Sequence, residues 1–355
     1  SGRSEDAMRK TVKWIFSILI FSICFGIAFG KVSEVLRKKA GGSSDMIHSF
    51  YELERDCVDV LVLGSSHAYS SFAPDLLWRK YGYASCLLAS ERQTLAMSYY
   101  LLREALEYQK PKVVLLEAYY AWFDGKYTDM NQLAIDAMRN GAVKEELLQD
   151  LFGDLDWKQK LEYVVPFVRY HSRWTELEDS DFNPKTYHYG AMINYNMHPL
   201  PEPVQPEQAS DIPEVNLEYL GKIQDICKEN DISLIFYTAP YGYEKNESVY
   251  LSKQAIALAV VQYAQAQGIP FYAWQAHAEE LGFCYETDFR DEGHLNGYGA
   301  QKMTDALGRY LTEICELTDH RGDEQYVNWE KAAERCAEER KMLSDRQQED
   351  SDDAK

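Results

Sequence analysis

The sequence predicts an α/β fold: a three-layer α/β/α arrangement around a roughly five-stranded parallel sheet, preceded by a transmembrane helix. Three observations predict it. Short apolar runs without alternation recur between residues 56 and 318, as in strands buried on both faces. Longer stretches with helical apolar spacing lie between them. Residues 14–30, WIFSILIFSICFGIAFG, carry no charge and form an apolar stretch at the short end for a bilayer span.

Residues 1–13 are polar, with Arg9, Lys10 and Lys13 flanking the apolar stretch. A start at Met8 would make residues 1–7 an extension. No small-x-small cleavage site precedes Lys31, which favours a retained signal anchor over a cleaved signal peptide. Lys31, Arg37, Lys38 and Lys39 make the other flank basic too, so loop charge leaves the orientation open. Residues 31–55 read as a juxtamembrane linker, flexible at Gly41-Gly42-Ser43-Ser44.

The first strand is Val60-Leu61-Val62-Leu63, closed by Gly64. A short helix is expected over 75–81 and a second strand over 84–89. Leu95, Tyr99, Leu102 and Leu106 place one buried face on a helix over 94–109, which Pro111 ends. The third strand covers 112–118, and strand, helix, strand implies a right-handed parallel unit. Residues 121–215 break this alternation. They hold helical stretches at 132–151 and 157–168, then an irregular piece rich in Pro, Tyr, His and Asn, and read as an insertion or lid over the strand ends. The pattern resumes with a helix over 217–229 and a strand over 232–237. A helix over 249–267 is closed by Gly268. A last strand over 269–274 and a helix over 299–317 complete the domain. Residues 319–355 read as a charged tail, helix-prone at 330–342 and disordered at its end.

Composition excludes several classes. A formal net charge of −20 argues against nucleic acid, whose phosphates need a basic face. It argues equally against a soluble domain held on anionic lipid. The 26 tyrosines and 7 tryptophans suit sugar rings, although most are expected simply to pack the core. The 7 cysteines form no Cys-x-x-Cys pair and no even framework, so neither zinc nor disulfides are expected. His188 and His198 lack a ligand pattern, and no metal or cofactor is expected.

The chemistry is expected just past the first strand, at Gly64-Ser65-Ser66-His67. Ligands and reactive groups of parallel sheets gather at the carboxyl ends of strands. Ser66 is a candidate nucleophile there; the plainer reading is a serine-rich turn. Far downstream, Asp288-Phe289-Arg290-Asp291-Glu292-Gly293-His294-Leu295-Asn296 supplies what a serine lacks. A base must take the hydroxyl proton, and a carboxylate must orient that base. Asp291 and His294 are close enough in sequence for one turn to bring both to the same side. The plainer reading makes Asp291 a helix cap and His294 an ordinary surface histidine.

Gly64-Ser65-Ser66 followed by Asp291-x-x-His294 resembles the SGNH (GDSL-like) hydrolase superfamily, over roughly residues 56–315. It looks most like the membrane-anchored branch near bacterial cell-wall acyl-transfer proteins, including the DltD-like proteins of teichoic-acid D-alanylation. The resemblance implies a triad of Ser66, His294 and Asp291. It also implies oxyanion donors after the second and third strands, a glycine amide and an asparagine side chain. This chain departs there: Ser90-Glu91-Arg92-Gln93 holds no glycine, and Glu117-Ala118-Tyr119-Tyr120 holds no Gly-x-Asn. The Ser66 and Ser90 amides, with Gln93 or Tyr119 as side-chain donor, are the available substitutes. Losing one donor costs about a hundredfold or more in rate. Glu117 reads as structural. Arg173 reads either as a contact to a substrate phosphate or carboxylate or as a surface ion pair.

The expected function is a serine-dependent acyl ester hydrolase or O-acyltransferase. The resemblance suggests an extracytoplasmic catalytic domain, a cell-envelope polysaccharide or teichoic-acid-type polymer as substrate, and an O-acetyl or D-alanyl group. It also suggests a membrane-bound O-acyltransferase as partner. The alternative is a degenerate accessory module that presents a glycan or acyl carrier to such an enzyme. A nucleotide-dependent enzyme is set aside, since no Gly-x-Gly-x-x-Gly or phosphate-binding loop is present.

Overall fold

Strand β1 (Val60–Gly64) is the centre of the larger part of the protein. The computed structural model describes residues 2–37, 43–182, 188–190, 192–243 and 245–353. β1 pairs in parallel with β2 (Ser85–Ala89) on one side and β3 (Val113–Glu117) on the other. β4 (Ser233–Thr238) and β5 (Phe271–Ala273) extend the sheet in the order β2-β1-β3-β4-β5, all parallel. Every residue of β1, β2 and β3 is buried, which is why their sequences are continuous apolar runs. The chain steps from β1 to β2, then returns to place β3 on the opposite side of β1. Such a reversal opens a crevice at the strands' carboxyl ends, and Ser66 lies there.

The five expected strands are all present, the last one shorter than expected because only Phe271–Ala273 pairs with β4. The helix Leu95–Leu106 is capped by the Thr94 side chain, which accepts from the Met97 N–H. The helix Gly297–Ile314 begins earlier than expected, because Asn296 accepts from the Tyr298 and Gly299 amides. Asn296, not Asp291, is therefore the cap. A small antiparallel ribbon, β6 (Phe289–Asp291) with β7 (His294–Leu295), was not expected and carries the downstream motif.

Three expectations outside the sheet are corrected. Within the linker, Ser43–Phe50 is a helix that buries Met46, Ile47 and Phe50, with Met46 in the main core. The flexible point at Gly41-Gly42 lies outside the described residues. The charged tail is the helix Val327–Asp353, with Trp329, Ala332, Ala333, Cys336 and Arg340 buried at helical spacing. It packs on the helix Pro74–Tyr81. There Trp78 stacks on Trp329 and Tyr326 and donates to Glu330 at 2.9 Å. Arg340 forks onto Asp75 through two bonds of 2.7 Å. Small buried residues among many charges hid this stripe. Residues 354–355 lie outside the described part.

The expected insertion is divided. The chain forms two compact units, Ser1–Lys39 with Asp154–Lys185, and Ala40–Gly153 with Thr186–Lys355. In the larger unit, Asp150 on the helix Ala142–Phe152 accepts from Tyr100, Tyr219 and Lys126. In the smaller unit, the helix Gly2–Leu36 contains a stretch long and apolar enough to cross a membrane, with mean hydropathy 2.2. Phe29 meets Phe167 at 5.1 Å, and the Phe167 amide donates to the Ser33 hydroxyl at 2.9 Å. Residues 154–182 thus gather on the N-terminal helix within the smaller unit.

The Asp75–Arg340 pair gives a stability test. Both side chains are almost fully buried, so removing one leaves an uncompensated charge. Asp75→Ala is expected to lower unfolding free energy by about 3–5 kcal/mol in urea titrations. A loss below about 1 kcal/mol, as for an exposed pair, would show that the terminal helix does not hold this site closed.

Candidate active site

Gly64 sets the direction of the chain as it leaves β1. Its φ is +153°, and a Cβ there would sit 2.6 Å from the Glu117 Cβ and 2.9 Å from the Ala68 Cβ. Only glycine lets β1 and β3 approach this closely before the turn. Ser65 then caps the short helix Ser66–Ser71, its hydroxyl oxygen accepting from the His67 amide. Ser66 opens the helix at the sheet's carboxyl edge and is partly exposed, while Ser65 and His67 on either side are buried.

The downstream motif arrives on the β6–β7 ribbon. His294 Nε2 lies 2.7 Å from Ser66 Oγ, and His294 Nδ1 lies 2.7 Å from Asp291 Oδ1. The same Asp291 oxygen accepts from the Gly293 amide at 2.8 Å, so the tight turn that pairs the two residues also holds the carboxylate. Arg290 ties the ribbon to the serine's helix. Its guanidinium donates to Ser70 Oγ at 3.2 Å and lies 3.5 Å from Asp291, and Ser70 donates to the Ser66 carbonyl at 2.6 Å. Partial burial pushes the Asp291 carboxyl up. The His294 hydrogen bond and charge, the Gly293 amide and Arg290 outweigh it and leave the group below its ordinary value. Asp291 is therefore ionised at neutral pH, the state needed to hold an imidazole by its Nδ1–H. In this geometry an imidazole is within reach of the serine hydroxyl proton and a carboxylate is within reach of the imidazole.

The expected auxiliary residues fare differently. The Ser90 amide faces the Gly64 carbonyl at 3.4 Å, and the Ser90 hydroxyl donates to Gln93 at 2.9 Å. Both Gln93 amide hydrogens are committed, to the Leu88 carbonyl at 3.1 Å and to Ser98 at 3.0 Å. These two residues brace the end of β2 and have no donor to spare for an oxyanion. Arg173 is bound within the smaller unit, to Asp181 at 3.0 Å and to the Leu36 carbonyl at 2.7 Å, so its guanidinium is spent on packing. Tyr119 does border the site. Its ring stacks on His67 at 3.5 Å, and its hydroxyl accepts from Lys253 at 3.2 Å.

Two side chains carry more of the site than the sequence indicated. His67 is buried between Tyr119, the edge of Tyr241 at 5.4 Å and His294 at 5.3 Å. Burial, reinforced by the charges of His294, Lys253 and Arg290, pushes it well below an ordinary histidine, so it is a neutral imidazole with one N–H to give. The only sequence signal was a titratable residue directly after the serine. Glu117 is fully buried under the serine turn. It accepts from Ser65 Oγ at 3.3 Å and from the Tyr119 amide at 2.8 Å. Burial raises its carboxyl from 4.5 to about 8 despite those bonds.

The hollow is open: the Asp291 side chain is 50% exposed and that of His294 is 24% exposed. Ser66 itself is partly exposed, so solvent reaches it.

Glu117 makes folding pH-dependent. Its folded-state value is raised from 4.5 to about 8, so the stability it contributes is fully present below the unfolded value. That contribution falls as pH rises through the folded value, by at most about 1.4 kcal/mol per pH unit. Glu117→Gln stays neutral; its Oε1 can accept from the Tyr119 amide, and its Nε2 can donate to the Ser65 hydroxyl in place of accepting from it. The stability difference between wild type and Glu117→Gln is expected to shift in the variant's favour from about pH 5 to about pH 8, measured by chemical denaturation. A difference constant over that range would mean that Glu117 is not held neutral.

No family model matches the chain, and no curated protein matches it. Among solved structures it is similar to a Bacteroides fragilis NCTC 9343 protein described as an acylhydrolase. That match has a TM-score of 0.39 and 13% identity and covers 78% of this chain and 98% of that one. It is also similar to a GDSL-like lipase from Bacteroides thetaiotaomicron VPI-5482, with a TM-score of 0.34 and 12% identity, covering 72% of this chain and 87% of that one.

Proposed function

We propose that the protein is a serine-dependent acyl ester hydrolase or O-acyltransferase. The observation that carries this reading is the continuous hydrogen-bonded line from Ser66 through His294 to an ionised Asp291. Ser66 Oγ attacks the carbonyl carbon of an ester while His294 Nε2 takes its proton. The carbon–oxygen bond to the alcohol breaks, and His294 returns the proton to that alcohol. Water or a second hydroxyl then attacks the acyl-enzyme in the same way, and Ser66 is regenerated. Asp291 steadies the imidazolium in both halves.

The oxyanion needs donors, and Ser90 and Gln93 are committed elsewhere. The Ser66 amide opens its helix, where the first-turn N–H groups have no helical carbonyl partner. His67 is the side-chain donor in our reading: it is neutral, buried and adjacent to both the serine and His294. The openness of the hollow supports hydrolysis whenever no acceptor covers it. A long acceptor that does cover it would turn the same acyl-enzyme to transfer. A cell-envelope polysaccharide or teichoic-acid-type polymer fits that description, with an O-acetyl or D-alanyl group. The N-terminal helix would anchor the chain in the cell membrane with the catalytic domain outside, beside a membrane-bound O-acyltransferase partner.

The full chain in detergent is expected to hydrolyse an activated acetyl ester. Ser66→Ala and His294→Ala should each lower kcat by roughly four to six orders of magnitude. His67→Phe keeps the stack on Tyr119 and removes both nitrogens, and should lower kcat about a hundredfold with KM little changed. Equal activity in wild type and Ser66→Ala would remove the serine mechanism and favour a binding module. Wild-type kcat in His67→Phe would move the oxyanion donor elsewhere.

A further inference from the structure

The smaller unit carries an apolar helix face that is exposed to solvent. The helix Trp157–Val164 buries none of its residues. Trp157, Leu161 and Val164 fall at i, i+4 and i+7, one face of the helix, and are 71%, 38% and 45% exposed. Trp174 and Phe182 in the same unit are 70% and 59% exposed. An apolar face of this kind, rimmed by charge, marks a contact surface.

The face is rigidly presented. Asp156 and Gln159 form a reciprocal capping box at the start of the helix. Arg169 on the next helix, Pro166–Tyr170, lies 4.4 Å above the Tyr163 ring and 3.7 Å from Glu162. That second helix is fixed to the N-terminal helix through Phe167, which meets Phe29 and bonds to Ser33. The exposed face therefore belongs to the end of the apolar helix at which the chain would leave a bilayer.

We propose that Trp157, Leu161 and Val164 dock into the interfacial layer of the bilayer that the N-terminal helix crosses, so that the helix Trp157–Val164 lies on the membrane. This rests on the reading of residues 14–30 as a membrane span. An eight-residue helix is about 12 Å long, far short of the roughly 30 Å hydrocarbon core, so it can lie on a bilayer but not cross it. Tryptophan is at its best at that boundary, with its ring in the acyl region and its N–H in the headgroups. Lys158 and Lys160 on the same helix are exposed and long enough to reach the headgroups while their stems stay low. Asp154, Asp156 and Glu162 offset Lys158 and Lys160 on and beside this helix, so apolar burial rather than anionic lipid is the driving term. Zwitterionic lipid suffices.

The test uses the full chain in phosphatidylcholine vesicles, with and without bromine on the upper acyl chain. The emission of Trp157 is taken as the difference between wild type and Trp157→Phe, and that of Trp14 as the difference from Trp14→Phe. The expected result is strong quenching of the Trp157 difference signal by brominated lipid, unchanged at high salt. Quenching of Trp14 with none of Trp157 overturns the docking and leaves the membrane span standing. No quenching of either overturns both. A Trp157 signal shielded from aqueous iodide yet untouched by bromolipid assigns the face to a protein partner and also overturns the proposal.

Discussion

The close approach of Gly64 to Glu117 is the constraint on which the rest of the site depends. β1 can reach the carboxyl edge beside β3 only because position 64 has no Cβ, and the space it leaves is filled by the Glu117 stem and Ala68. The Glu117 carboxyl then binds the Ser65 hydroxyl and the Tyr119 amide, locking the turn after β1 to the turn after β3. Ser65 in turn caps the helix that Ser66 opens. A buried acid is costly when charged, so this lock works in its neutral form. The arrangement holds the serine at a fixed point through a group outside the line from Ser66 through His294 to Asp291.

From that fixed point the ribbon β6–β7 places the His294 imidazole beside Ser66. The turn at Glu292-Gly293 brings Asp291 and His294 to the same side, and the Gly293 amide and Arg290 hold the carboxylate. Arg290 also reaches Ser70, so the two halves of the site, far apart in the chain, are joined by a bond independent of the triad. Loss of a triad member should therefore leave the geometry in place, which lets a kinetic loss be assigned to chemistry.

Most of the sheet was legible because burial on both faces forces continuous apolar runs, and β1 to β4 show that signal strongly. The proximity of Ser66, His294 and Asp291 was legible because their order and the Asp-x-x-His spacing survive in the one-dimensional chain. The auxiliary residues were not. Ser90 and Gln93 stand where donors were expected, but their hydrogen-bonding capacity is consumed by Leu88, Ser98 and each other, which only coordinates reveal. The helix Val327–Asp353 was hidden because its buried stripe is made of alanine, cysteine, one tryptophan and one arginine, set among charged residues. Arg173 read equally as a substrate contact or an ion pair because an arginine's partner depends on the fold; the structure shows the ion pair, with Asp181.

The central claim is that Ser66 is a nucleophile activated by His294. Covalent labelling of the full chain with a serine-directed phosphonate, followed by peptide mass spectrometry, tests it most directly. Stoichiometric modification of the peptide carrying Ser66, lost in His294→Ala, is the predicted result. Modification of a different serine, or equal labelling of Ser66 in wild type and His294→Ala, would contradict it.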